Sequence, residues 1–413
     1  MRVLRILSIL LLAQYSYGQT EIKMLFYNLL EFPSAPPSNR VDLLAEVFDF
    51  YSPDVFMVCE LQSLSGSNAI LVNALNVDGD NYEAAPFVFN TSGSNDLQQM
   101  LYFNTDTFKL LSTEIIPTPV RDINRYELLL NSVDQATNPI VFNVYVAHLK
   151  SSMGSDNVAL RFEMVDRFTD HLETIDPESY VVFAGDLNFY TGAELGYLQL
   201  TASSNPVILK DPLNRSGNWH NNTDYEDLFS QSTRTSSGPF GGSGAGGGMD
   251  DRFDHIVISE NFFDDTPVRY LPDSYKTIGN NGNCFNKSVN DASCSGEYSA
   301  ELRNLLYNIS DHLPIGISLE TDLELLSGTE FVVNEMIGFP IGNVVADRLL
   351  LNLDGSLPSN TMIHIYNSLG QKITTLSTSD ATQLSWDASG LSSGVYYLAL
   401  QNMHSQPVKF IKQ

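Results

Sequence analysis

The chain has 413 residues, 43% of them hydrophobic and 17% charged, and a formal net charge of −27. That length holds one large domain and a small one, and the composition supports a buried core. The negative charge counts against tight, sequence-independent binding of long nucleic acid, which works through a basic face, but it leaves room for weak binding with rapid turnover.

The first residues, MRVLRILSILLLAQYSYG, place Arg2 and Arg5 ahead of an apolar run from Ile6 to Ala13, with small Ser16 and Gly18 near its end. This is the pattern of a secretory signal over residues 1–18. The run is too short to span a bilayer, and no later segment is long and apolar enough, so no stable membrane insertion is expected. IKMLFYN, ending at Asn28, reads as a buried strand, NRVDLLAEVFDFY as a helix, and DVFMVCE, ending at Glu60, as a second strand. Cys59 within the last is expected as a buried free thiol. PIVFNVYVAHL carries His148 at its end, and NVALRFEMVDRFTDHLETI has helical spacing with charged outer positions. YVVFAGDLNF ends in Asp186 and Asn188, FDHIVIS opens with Asp254, and SDHLP brings Asp311 and His312 to the start of LPIGISLE.

Between these strands, GPFGGSGAGGG (Gly238–Gly248) reads as a plain surface insertion, because it lacks the Lys-Ser/Thr and the strand–loop–helix context of a phosphate-cradling loop. Cys284 and Cys294 share a polar loop of an exported chain and are expected as a disulfide. Many strands with interspersed helices, without regular βαβ alternation, point to an α/β sandwich. After residue 320 the chain becomes richer in Ser, Thr, Leu and Gly and nearly balanced in charge. The expected organisation is a signal over 1–18, a catalytic domain over 19–320, a linker over 321–337 and a small β-domain over 338–413.

The chemistry gathers where short polar residues end apolar strands: Asn28, Glu60, His148, Asp186 with Asn188, and Asp254 with Asp311 and His312. Strand ends on a rigid scaffold present side chains to a shared cleft. A lone Asp after a strand is more often a turn former; here it is the conjunction of all these residues that points to a site. FYNLLEF, VCELQ, AHLKS, GDLNFY, RFDHIVIS and SDHLP, in that order over roughly residues 21–320, resemble the endonuclease/exonuclease/phosphatase superfamily, with its deoxyribonuclease-I-like fold. The resemblance implies two packed β-sheets flanked by helices, a four-layer sandwich, and a metal-dependent phosphoesterase. The expected activity is that of a nuclease acting on DNA or RNA. A phospholipid or inositol-phosphate hydrolase of the same fold is the alternative, and a catalytically dead adhesion protein is the rival from another class.

Phosphodiester hydrolysis needs neutralised charge, an aligned water and a protonated leaving group. Glu60, with Asn28 and Asp311, is expected to hold Mg²⁺, with Mn²⁺ or Ca²⁺ as alternatives. Asp186 and Asn188 are expected to orient the water and a phosphate oxygen. His312 is expected as base or charge stabiliser with Asp254 accepting its second N–H, and His148 faces the phosphate from the other side. Strand alternation turns His255 away from Asp254. His171, His220, His364 and His404 read as surface or core positions. In TPVRDINRYELL, Arg121 matches an Arg of several family members and is expected against a substrate phosphate. One departure stands out. Deoxyribonuclease relatives place an acid ahead of the strand matching QQMLYF, to orient the residue equivalent to His148; here Gln98 and Gln99 lie there, with Asp96 slightly earlier.

IHIYNSLGQKI, WDASGLSSGVYYLAL and the ending PVKFIKQ resemble the C-terminal sorting domain of the type IX secretion system of Bacteroidetes. The reading predicts a small antiparallel β-sandwich with Tyr396, Leu398 and Leu400 on one face. It implies that the secretion machinery is a partner and that the product is secreted or held at the cell surface. An adhesive module should expose aromatics in a groove, and only Trp386 and a few Tyr are available. A monomer is expected.

Overall fold

The apolar stretch after Gln19 forms β1 (Thr20–Phe32), followed by α1 (Arg40–Phe50), β2 (Val55–Leu61), α2 (Leu64–Ile70), β3 (Tyr82–Ala84) and β4 (Gln98–Asn104). Next come β5 (Phe108–Ile116), β6 (Ile123–Leu130), β7 (Val141–His148), α3 (Ser155–Leu172), β8 (Tyr180–Asp186), α4 (Leu195–Leu200), β9 (Leu209–Lys210) and β10 (Asp254–Ser259). β11 (Val268–Tyr270), β12 (Lys276–Thr277), α5 (Ala300–Ile309) and β13 (Ile315–Thr321) complete this part. The computed structural model describes residues 19–77, 79, 81–93, 96–326, 337–340, 343–353, 361–368, 370–378, 382–400 and 408–413. The secretory-signal reading, most of the expected linker and His404 lie outside the described residues. Two units are distinct, one ending at Leu325 and one beginning at Leu326.

In the first unit one sheet runs β11–β13–β1–β2–β4–β3, with β12 also on β13, and the other runs β5–β6–β7–β8–β10–β9. Each sheet contains one parallel pair, β1 with β2 and β7 with β8. Each pair is joined by a helix, α1 or α3, because parallel neighbours need a crossover. Phe142, Val144 and Val146 of β7 pack with Val182 and Ala184 of β8, Ile256 and Ile258 of β10, and the core of the other sheet. The alternate residues Tyr145, Ala147, Phe183 and Val257 pack against Met164, Val165 and Phe168 of α3. On the far side, Phe48 of α1 meets Phe56 of β2 edge-on at 5.0 Å. The result is helices, sheet, sheet, helices: an α/β four-layer sandwich.

Strand parity then decides the site. His148, Asp186 and Asp254 continue the inward rows, and register sets His148 beside Asp186 and Asp186 beside Asp254. On the other sheet, Asn28 of β1 lies beside Cys59, one residue before Glu60. Five strands therefore reach one end of the space between the sheets. Cys59 is buried and free, and Cys284 and Cys294 are joined in a disulfide with their Cα atoms 5.2 Å apart.

The second unit holds β14 (Ile337–Gly338), β15 (Val344–Val345), β16 (Arg348–Leu353), β17 (Met362–Asn367), β18 (Lys372–Ser377), β19 (Gln383–Asp387), β20 (Gly394–Leu400) and β21 (Val408–Lys412). They form two sheets, β14–β16–β19 and β15–β21–β20–β17–β18, around one apolar core. Tyr396, Leu398 and Leu400 are all buried in it. All pairings are antiparallel except β15 with β21.

His255 faces away from the inter-sheet space. Its ring meets Trp219 at 5.2 Å and Phe189 at 6.1 Å, and Nδ1 lies 3.0 Å from the Phe253 carbonyl, to which it donates. Burial, helped by the Arg252 charge, pushes its pKa down to about 3. Both folded and unfolded chains hold it neutral above about pH 6.5; between there and about 3 only the unfolded chain gains the proton, so stability falls with pH. The expected contribution is about 1.4 kcal/mol per pH unit within that window. Urea unfolding of wild type and His255→Phe across the window checks this. The variant should lose less stability on acidification, and equal losses would contradict the assignment.

Candidate active site

The site is built where the strands stop being regular. β1 and β2 slip in register between Asn28 and Phe32, and β2 and β4 slip between Val58 and Leu61. Glu60 sits within that slip with φ +63, in the left-handed region that non-glycine residues rarely adopt. Such irregularities re-aim side chains, and here they turn Glu60 into the cleft. Asn188 has φ +53, which carries the chain sharply away after Asp186.

The amide of Asn28 ties the two sheets together. Its Nδ2 donates to Glu60 Oε1 and to Asp186 Oδ2, each at 3.0 Å. Its Oδ1 accepts the Leu30 N–H at 3.0 Å. Asn28, expected as a metal ligand, thus turns its nitrogen to the carboxylates, and its Oδ1 keeps one lone pair beyond the Leu30 N–H. The Glu31 N–H binds Glu60 Oε2 at 3.0 Å. Ser310 Oγ donates to the Asn28 carbonyl at 2.7 Å and accepts the His312 N–H at 3.2 Å, which fixes the Ser-Asp-His turn against β1.

His312 Nδ1 lies 2.7 Å from Asp254 Oδ2, and Nε2 lies 3.7 Å from Asp186 Oδ2. Burial alone would lower the His312 pKa, but the charges of Asp254 and Asp186 outweigh it and hold the imidazole well above its usual range. His148 Nε2 lies 3.5 Å from Asp186 Oδ2, and its Nδ1 is 4.0 Å from Glu60 Oε1. Burial, with Arg121 and His312 nearby, holds His148 well below its usual range. Asp186 is pushed up to about 7, first by burial and then by the charges of Asp254 and Glu60. Burial and the Asp311 charge also raise Glu60. Asn188 donates from both its backbone N, at 3.2 Å, and its Nδ2, at 2.8 Å, to Asp186 Oδ1.

Arg121 departs from its expected place against a phosphate. It is 5% exposed, and its Nε and Nη2 donate to the carbonyls of His148 and Leu149 at 2.8 and 2.7 Å. It braces the end of β7. The glutamines that stand where relatives carry an acid do not support His148 either: its Nδ1 is buried without a partner, as are both amide atoms of Gln99. Among the other histidines, His171 lies 3.8 Å from Glu114, and His364 Nδ1 lies 2.8 Å from Thr375 Oγ1. His220 meets Asp251 at 2.6 Å, and Asp250 completes that second, more exposed group.

Gln231 is a residue that sequence reasoning passed over. Its Nε2 lies 3.0 Å from Asp311 Oδ2 and 2.7 Å from His312 Nε2. Nothing in FSQSTRT signals this; isolated bridges from Gln231 to Asp251 and to His312 bring it there. The glycine-rich stretch is no plain insertion either, because the Ala245 N–H donates to Asp311 Oδ2 at 2.7 Å.

These residues fit a hard divalent cation. The charge of Asp311 acts on Glu60, those of Glu60 and Asp254 act on Asp186, and Asp311 Oδ1 is buried with no hydrogen-bond partner in the protein. Glu60, His148 and Asp186 each offer a ligand atom within 4.8 Å of the others. Oxygen ligands with excess negative charge suit Mg²⁺, Mn²⁺ or Ca²⁺, and the imidazole adds a donor that suits Mn²⁺ better than Mg²⁺.

Residues 343–413 match the family model of the secretion system C-terminal sorting domain. This domain marks the chain for export by the type IX system, as a secreted or cell-surface protein. No curated protein matches the chain in sequence. In fold it is similar to D. rerio TDP2 complexed with a single-strand DNA product, at 17% identity and TM-score 0.48 over 73% of this chain and 100% of that one. It is also similar to the human nocturnin catalytic domain with bound sulfate, at 16% identity and TM-score 0.46 over 73% and 96%. An endonuclease/exonuclease/phosphatase family protein from Bacteroides thetaiotaomicron gives 14% and 0.46 over 74% and 100%. Among the described residues no helix is long and apolar enough to cross a membrane.

The Arg121 brace is testable by stability. Arg121→Met removes the side-chain donor of the His148 carbonyl and the shorter of two donors to the Leu149 carbonyl, which Asn188 Nδ2 also meets at 3.4 Å; a buried group left unpaired costs about 1–3 kcal/mol. Urea unfolding should show a loss of that order. An unchanged midpoint would return Arg121 to a free, substrate-facing role.

Proposed function

We propose that the first unit is a metal-dependent phosphoesterase, most specifically a nuclease hydrolysing phosphodiester bonds of DNA or RNA. The observation that carries this is the Asp254–His312 pair facing Asp186, Glu60 and Asp311 across one cleft. A bound divalent ion would offset the charge of the phosphate and of its transition state. Glu60 and Asp311 would hold that ion, with Asp186 and His148 at its other side. Asp254 accepts the Nδ1 proton of His312 and so fixes its tautomer and stabilises its charged form. His312 takes the proton of the attacking water or faces the charge that develops. Asp186, held by Asn28 and Asn188, orients that water. His148, neutral in its surroundings, donates one N–H to a phosphate oxygen or leaving group.

The lipid reading loses support in one place. Phe240, the aromatic of the glycine-rich loop, is 5% exposed and packs on Arg234 and Tyr307, so it is not offered to a bilayer surface. The division of labour follows the two units: the first, ending at Leu325 rather than at the expected boundary of 320, carries the chemistry, and the second, with the sorting domain over 343–413, serves export.

Plasmid DNA, RNA, sphingomyelin and a small phosphodiester, offered with Mg²⁺ and with excess chelator, test the reading. Turnover of a nucleic acid that chelator abolishes is expected; full activity in chelator would sink it. Glu60→Gln should remove most activity. His312→Ala should lower turnover at least about a hundredfold, the low end of acid–base contributions. Asp254→Asn should also slow the reaction, and the double variant should lose no more than His312→Ala alone, since Asp254 acts through the imidazole. Additive losses would separate the two residues.

A further inference from the structure

Asp311 is held unevenly. Its Oδ2 accepts the Ala245 N–H at 2.7 Å and the Gln231 amide at 3.0 Å. Its Oδ1 is buried and has no partner in the protein. Two donors on one oxygen and none on the other leave Oδ1 as the atom with free lone pairs. The approach of the loop backbone depends on Gly244. Its φ is +79, and a Cβ there would stand 2.9 Å from Asp311 Cγ and 2.9 Å from Leu30 Cδ2. Any other residue would be strained and would push on the carboxylate.

The loop is itself anchored. Ser232 Oγ donates to the Ala245 carbonyl at 2.9 Å, and the Gly248 N–H donates to the Arg234 carbonyl at 2.9 Å. Phe240 lies 3.4 Å from the Arg234 guanidinium, measured to the ring centre. The contact with Asp311 is thus made by a fixed segment.

We propose that Gln231, Gly244 and Ala245 form a clamp that presents Asp311 through Oδ1 alone, making it a one-oxygen ligand and biasing the metal centre toward Mg²⁺ or Mn²⁺ over Ca²⁺. Ca²⁺ commonly takes both oxygens of a carboxylate in a loose, higher-coordinate shell, whereas Mg²⁺ demands a compact octahedral one. With Oδ2 engaged by two donors, the two-oxygen mode is closed. Gln231 and Gly244 are positioning residues in this scheme. It rests on the reading of Asp311 as a metal ligand.

Calorimetric titration of the full chain with Mn²⁺ and with Ca²⁺ tests it, alongside thermal unfolding. Gly244→Ala and Gln231→Met should each weaken Mn²⁺ binding about tenfold or more, the usual cost of losing a residue that supports a metal ligand. Ca²⁺ binding should weaken less or improve, so the Mn²⁺/Ca²⁺ affinity ratio falls. Gly238→Ala, on the same loop with ordinary φ and its nearest contact at 3.4 Å, should leave both affinities unchanged. If Gly244→Ala does not fold, Gln231→Met decides, because it leaves the backbone unaltered. Equal weakening of both ions, or wild-type Mn²⁺ binding in Gln231→Met while Asp311→Asn is impaired, overturns the clamp. Wild-type Mn²⁺ binding in Asp311→Asn overturns the underlying assignment instead.

Discussion

Four carboxylates, Glu60, Asp186, Asp254 and Asp311, occupy one buried space between two sheets, and the rest of the first unit is arranged around their mutual repulsion. Burial and like charge both favour protonation, as the raised pKa of Asp186 and of Glu60 records. The protein offsets this with donors placed one by one: the Asn28 amide between Glu60 and Asp186, the imidazole of His312 between Asp254 and Asp186, and Gln231 with the Ala245 N–H on Asp311. Few full positive charges enter. Arg121, Arg40 and Arg234, the arginines whose charges reach these carboxylates, each donate to backbone carbonyls. A site so balanced is poised for a divalent cation, and its negative field is one reason a phosphate would be drawn only with the ion in place.

The acidity of the whole chain acts in the same direction. A net charge of −27 gives no basic track along which a long polyanion would settle. On the nuclease reading proposed above, contacts to substrate would be local to the cleft, with brief binding favoured over processive tracking. Export through a C-terminal sorting domain places such an enzyme outside the cell, where the Cys284–Cys294 disulfide is at home.

Much of this was legible along the chain, for a definite reason. His148, Asp186 and Asp254 end or begin apolar strands, and a period of two puts every second residue on one face, so the sequence alone told His255 from Asp254. Six stretches in order, GDLNFY and SDHLP among them, carried the resemblance that pointed to the fold. Asn28 is legible at its strand end, but which end of its amide faces the carboxylates depends on a donor, the Leu30 N–H, beside a local slip in register. Arg121 shows a similar limit: how far a cation near a cleft is engaged depends on carbonyls that only folding brings to it.

Gln231 and the glycine-rich stretch mark the limit. FSQSTRT has no periodicity, and GPFGGSGAGGG reads as a plain surface insertion, so neither announces a contact with Asp311 more than 60 residues away. Local pattern determines which strands form, which faces are apolar and which polar residues stand at strand ends, since these follow from alternation and side-chain chemistry within a few residues. The pairing of Asp254 with His312, the bridge from Asn28 to both sheets and the hold on Asp311 were decided by tertiary structure. The last two depend on register slips and loop packing, which bring distant segments within hydrogen-bond reach and leave no trace in neighbouring residues; the Asp254–His312 pair was foreshadowed by the family resemblance, and tertiary structure supplied its 2.7 Å contact.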